Sequence, residues 1–156
     1  MRTTLLASAP LLASLSVTAL AVGCGGDDGN GPEEVDCTLE KRDDDFVIGL
    51  TKPGDSGLLS FQIMEAEPPA RYENRWVVQI NQGSTPVTDA TLTITSYMPD
   101  HGHLSPIEAE ITSMPTAGQY EIEPIYFSMP SLWEVTIDTE SSAGDDTVVF
   151  RVCVPR

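Results

Sequence analysis

From residue 44 onward, apolar side chains recur at every second position in short runs cut by glycine and proline, and no run carries a 3.6-residue stripe of helical length. Successive side chains of a strand point to opposite faces, so each such run presents one apolar and one polar face. The expected strands are Asp44–Leu50, Leu58–Ala66, Asn74–Asn81, Val87–Tyr97, Ile107–Thr112, Gly118–Ile125, Trp133–Thr139 and Thr147–Val154. Trp76, Val78 and Ile80 should face inward in the third run, with Arg75, Val77 and Gln79 outward; Tyr120 and Ile122 should face inward in the sixth. Proline and glycine preset the turns Thr51-Lys52-Pro53-Gly54-Asp55 and Gln82-Gly83-Ser84-Thr85-Pro86, and Ser141–Asp146 makes a third. Seven or eight short strands at regular spacing read as one all-β domain, an antiparallel β-sandwich, over residues 37–156.

The region ahead of these strands reads as an address and a leash. Arg2 is a short basic start, Leu5 to Val22 is apolar and rich in small residues, and Ala21-Val22-Gly23-Cys24 offers a small-residue cleavage site. Gly23-Cys24 resembles the end of a bacterial lipobox. That resemblance implies removal of residues 1–23 and a lipid on Cys24, which would anchor the chain to a membrane. Residues 24–36, rich in glycine and acids, cannot bury enough apolar surface to offset the entropy of ordering and form a flexible tether. Gly25 stands where inner-membrane lipoproteins carry an aspartate, so the periplasmic face of the outer membrane is the expected location.

Cys37 and Cys153 stand at opposite ends of the strand-rich part, and in an oxidising compartment they are expected to pair. Their spacing fits no thiolate metal motif. In the last run Val148, Phe150, Val152 and Val154 share a side, which puts Cys153 with Arg151 on the other, away from the core. The formal net charge is −16. Such an acidic chain is a poor ligand for nucleic acid or for anionic lipid surfaces.

One stretch carries chemistry beyond the scaffold. Tyr97-Met98-Pro99-Asp100-His101-Gly102-His103 holds both histidines of the chain and follows the strand ending at Tyr97. Met114 and Met129 sit near later strand ends, each before a proline. Thioether and imidazole together suit Cu(I), because soft sulfur selects it and methionine needs no deprotonation. The ten residues between His103 and Met114 resemble the spacing in part of the periplasmic copper-chaperone motif, whose remaining His-x-Met is absent. The plain alternative is architectural. Methionine fills irregular core ends, proline ends a strand, and Gly102 frees the backbone of the turn. Calcium at Asp100, Glu108 and Glu110 lacks a compact oxygen-ligand loop.

The residues Pro86-Val87, Asp89-Ala90, Met98-Pro99, His101-Gly102-His103, Gly118, Tyr120, Met129-Pro130 and Trp133 together resemble the YtkA-like domain family. The resemblance runs from Trp76 to Ile137. It implies a small, secreted or membrane-anchored, immunoglobulin-like sandwich with no settled activity, and kinship with proteins implicated in copper handling.

No Gly-x-Ser-x-Gly elbow, phosphate-cradling loop or His-Glu-x-x-His helix appears, and Ser105 near the histidines has no specified base, so no enzymatic activity is expected. Two functions remain open. One is an envelope lipoprotein binding copper through Met98, His101, His103, Met114 and Met129. The other is a metal-free module that presents a sheet face or edge to another envelope protein.

Overall fold

The computed structural model describes residues 36–156. The leader, Cys24 and all but the last residue of the expected tether lie outside them. Ten antiparallel strands form two sheets: β1 Thr51–Pro53, β2 Ser60–Ala66, β3 Tyr72–Gln82, β4 Thr85–Pro86, β5 Thr91–Met98, β6 His103–Leu104, β7 Glu110–Ser113, β8 Gln119–Phe127, β9 Ser131–Glu140 and β10 Asp146–Val154. The first sheet runs β1-β2-β3-β8-β7, with β4 hairpinned onto β3, and the second runs β10-β9-β5-β6. No helix occurs among the described residues. This is the expected β-sandwich. The strand count exceeds the expected seven or eight because three elements, β1, β4 and β6, have only two or three residues.

The inward sets of the longer strands meet between the sheets. Trp76, Val78 and Ile80 of β3 and Tyr120 and Ile122 of β8 face Trp133, Val135 and Ile137 of β9 and Val148, Phe150, Val152 and Val154 of β10, all buried in one core. Rings bridge the layers. Phe150 stands edge-on to Trp76 at 6.0 Å, and Phe127 meets Trp133 at 5.3 Å. Full burial of each such side chain contributes roughly 1.5–3 kcal/mol. Val77 faces outward, as its place in the alternation requires, yet it is fully buried. Glu65 and Glu121 stand directly opposite it on the flanking strands. Arg75, two residues along, bonds both, at 3.0 and 2.6 Å, and closes a charged roof over the valine.

The expected strand Asp44–Leu50 is not one. Asp45 and Gly49 take φ of +48° and +91°, which break an extended run, and residues 36–50 form a strap instead. Phe46 turns inward and stacks on Trp76 at 4.6 Å, while Val47 and Ile48 stay exposed. Three residues of the expected turn after it, Thr51-Lys52-Pro53, are β1. The strap and β1 cover the free edge of β10. Asp44 N donates to Arg151 O at 2.9 Å, Lys52 Nζ to Val149 O at 2.6 Å, and Asp55 N to Thr147 O at 2.7 Å. The Asp44 carboxylate accepts from Arg151 N and from Lys52 Nζ. A disulfide joins Cys37 to Cys153, with Cα atoms 5.5 Å apart, and pins the strap to β10. Cys153 is buried but stands outside the core cluster that holds Val152 and Val154.

Asp146, at the start of β10, ties down the β1–β2 loop. Its carboxylate accepts from the backbone N–H groups of Ser56, Leu58, Leu59 and Thr147, each at 2.9 Å. A Cβ on Gly54 would lie 2.2 Å from that carboxylate, so only glycine lets the loop close over it.

Two predictions follow from these ties. The bond closes a loop with a sequence separation of 116 residues. Replacing Cys37 and Cys153 together by alanine should lower the unfolding free energy by about 4–5 kcal/mol, from the chain-entropy cost of such a loop. Urea denaturation measures this, and thiol labelling of both cysteines in non-reduced protein would contradict the bond. For Asp146, burial disfavours the charge, but the N–H groups of Leu59, Ser56 and Thr147 outweigh it and hold the carboxyl at about 2, below its usual 3.8. A depressed carboxyl stabilises the fold above its unfolded pKa, and the contribution disappears as pH falls through the folded value. Asp146→Asn should therefore abolish a fall in stability of order 2 kcal/mol between about pH 4 and pH 2, read by thermal unfolding across that range.

Candidate functional site

The Met98–His103 turn caps one end of the second sheet. β5 ends at Met98, the chain reverses, and β6 returns at His103 directly opposite Met98. His101 N and Gly102 N both donate to Met98 O, at 3.3 and 2.8 Å, and Gly102 takes a φ of +69° that closes the reversal. Directly opposed residues of an antiparallel pair project to the same face with Cβ atoms about 4.5–5.5 Å apart. Met98 and His103 therefore share the inner face. Met98 is fully buried in the core, His103 is half-buried and His101 is exposed.

The rings of His101 and His103 lie 6.0 Å apart. His103 also stands edge-on to Trp133 at 6.1 Å. Trp133, at the start of β9, donates its Nε1–H to Met129 O at 3.0 Å, which fixes the β8–β9 loop beside the turn. Met129 itself is partly buried against the core. His103 and the Met129 carbonyl thus meet Trp133, with Met98 and His101 beside His103, at one end of the sandwich.

Met114 does not join them. It follows β7, and its N–H donates to Gln119 O at the start of β8. Met129 lies just beyond the other end of β8, so the nine residues of that strand, roughly 26 Å of extended chain, separate the two methionines. Of the five expected ligands, four share an end and one is remote. Among the described residues, no three His, Cys, Asp or Glu side chains gather in a way that could hold a metal ion. A metal at the turn would therefore need thioether sulfur beside the two imidazoles.

The surroundings of the turn are charged on its outer side. Arg42, on the strap, forks onto both oxygens of Asp100 at 2.7 and 2.9 Å and also bonds Glu40. The Arg42 guanidinium holds the Asp100 carboxyl below its usual range. Asp100 is thereby engaged with the strap. Glu108 is exposed in the β6–β7 connection, and Glu110 pairs in β7 opposite Glu123. Two features here escaped the sequence. The Arg42–Asp100 contact spans 58 residues and has no local signal. Trp133 was visible as an inward residue of an alternating strand and as part of the family resemblance, but not as the neighbour of His103. The position of Met114 had a signal, because loops at the two ends of one strand of a hairpin cannot share an end of the sandwich.

The turn, its tryptophan and the second Met-Pro lie inside the stretch matched by a known family. The family model described as YtkA-like matches residues 56–138, which extends the sequence resemblance back into the β1–β2 loop and across β2. No curated protein and no solved structure matches the chain. With more than half of its length covered by that match, the chain belongs to the YtkA-like family.

Proposed function

We propose that this YtkA-like domain is an envelope lipoprotein, anchored through Cys24, that binds Cu(I) at the Met98–His103 turn. The observation that carries the metal reading is the pairing of two imidazoles beside a buried thioether. With metal–nitrogen bonds of about 2.0–2.1 Å, two imidazole centres held by one ion stand roughly 5–6 Å apart. The 6.0 Å between His101 and His103 fits that span. Met98, opposite His103 on the same face, is the sulfur placed to join them, and Met129 is a second. Thioether and imidazole form a soft donor set that favours Cu(I) over Mg²⁺ or Ca²⁺, which take oxygen ligands. The half-buried position of His103 against Trp133 limits water at the ion, and exposed His101 leaves it open to exchange. That combination suits carriage of copper better than catalysis. Met98 and His103 are held by the β5–β6 strand pair, which lowers the ordering entropy that opposes binding. Cell-envelope residence is supported by family membership and by the lipobox-like Ala21-Val22-Gly23-Cys24.

The test is Cu(I) competition against a chromophoric chelator, using the full chain with Cys24→Ala to remove a competing thiol. One equivalent should bind. His101→Ala and His103→Ala should each weaken binding by about tenfold or more, Met98→Leu should weaken it too, and Met114→Leu should leave it unchanged. Equal affinity in the His101/His103 double variant would remove these histidines as ligands.

A further inference from the structure

The two edges of the second sheet are treated differently. The outer edge of β10 is bonded at Arg151 by the strap, at Val149 by β1 and at Thr147 by Asp55 of the β1–β2 loop. The opposite edge belongs to β5, and β6 covers it only at Tyr97 and Met98. Ser105 N donates to Ser96 O on that side, so the even residues of β5 direct their N–H and C=O groups to the open edge. Leu92 and Ile94 therefore offer two N–H and two C=O groups that no strand pairs among the described residues. Edges are normally blunted by charge, proline or a bulge. β5, Thr-Leu-Thr-Ile-Thr-Ser-Tyr-Met, has none of these and carries strong β-formers.

Apolar side chains beside β5 are also incompletely covered. Tyr120 of β8 donates to Val87 O and accepts from Ala90 N, which sets the start of β5 over β8. The first sheet continues one strand further, to β7. No strand of the second sheet lies over β7 at that end. Ile94 of β5 and Ile111 of β7 pack against the core but are only partly buried, and Ile107 in the β6–β7 connection is exposed. A strand added to β5 would bond Leu92 and Ile94 and cover both isoleucines.

Charge selects the occupant. On the outer face β9 places Glu140 opposite Thr91 and Asp138 opposite Thr93, while Glu134 is already paired with Arg151. Glu110, Glu121 and Glu123 line a groove on the outer side of the first sheet near β7. A second copy of this chain, with net charge −16, would bring the same acids together. We infer that the β5 edge takes an extended segment of a different protein, with apolar side chains on alternate positions toward Ile94 and Ile111 and lysine or arginine on the outward positions. Long basic side chains reach over the small threonines of β5 toward Asp138 and Glu140, while main-chain bonds supply sequence-tolerant affinity.

The test uses the full chain and a labelled seven-residue peptide alternating valine and lysine, with a valine–glutamate peptide as its counterpart. The lysine peptide should bind, the glutamate peptide should not, and the amides of Leu92 and Ile94 should become protected from hydrogen exchange. Ile94→Pro removes an N–H that faces away from β9, so the β5–β9 ladder is kept, and it should weaken binding about tenfold or more. Thr93→Lys, on the outer face and clear of the core, should weaken it through repulsion even if the proline variant fails to fold. Unchanged binding in Thr93→Lys and a folded Ile94→Pro would overturn the inference. So would equal binding of the two peptides, or protection of Leu92 and Ile94 in a concentration-dependent dimer without peptide.

Discussion

Rings that meet across the two sheets hold the structure together. Trp76 on the first sheet packs between Phe46 and the edge of Phe150, and Phe127 meets Trp133 of the second. These contacts fix which strand ends lie together, and so they fix the surroundings of every loop. Trp133 serves both roles. One side of it belongs to the core, and His103 stands at its edge while Met129 accepts from its indole N–H. The histidine turn is thus the end of the core, with Met98 buried beneath it.

The strap and the disulfide perform a second task that the rings do not. A sandwich of open sheets has edges, and a chain must keep them from unwanted pairing. Along β10 the acceptors Thr147, Val149 and Arg151 are bonded by Asp55, Lys52 and Asp44, and Cys37 holds the strap in place from its far end. Asp146 adds an anchor at the opposite end of β10 through four backbone N–H groups. The β5 edge is covered by β6 only near Met98 and is left unpaired at Leu92 and Ile94. That asymmetry within one sheet is the physical ground for assigning a partner to β5.

Much of the fold was legible because period-2 alternation has one structural meaning wherever one face is buried. Trp76–Ile80, Tyr120–Ile122, Trp133–Ile137 and Val148–Val154 took the faces their alternation requires. The same logic misread Asp44–Leu50. Phe46, Ile48 and Leu50 alternate, but Phe46 acts as a plug on Trp76 and positive φ at Asp45 and Gly49 bends the run away from an extended course. Alternation reports which residues share a side and not whether the backbone finds a partner strand. At the site, Met98, His101 and His103 were legible because they are neighbours in sequence, and Met129 comes to them through Trp133. Met114 was grouped with them on residue type alone, without the direction of the strands, and it lies at the other end of β8. The Arg42–Asp100 fork depends on where the strap crosses the sandwich, which only the tertiary fold decides.

The reading of the turn as a copper site depends on sulfur joining two imidazoles, since no cluster of harder ligands exists among the described residues. X-ray absorption at the copper edge, on the Cu(I)-loaded protein with Cys24→Ala, tests that claim most directly. The account predicts a first shell containing both imidazole nitrogen and thioether sulfur, with the sulfur contribution reduced in Met98→Leu. A first shell of nitrogen and oxygen alone, identical in the wild-type turn and in Met98→Leu, would contradict it.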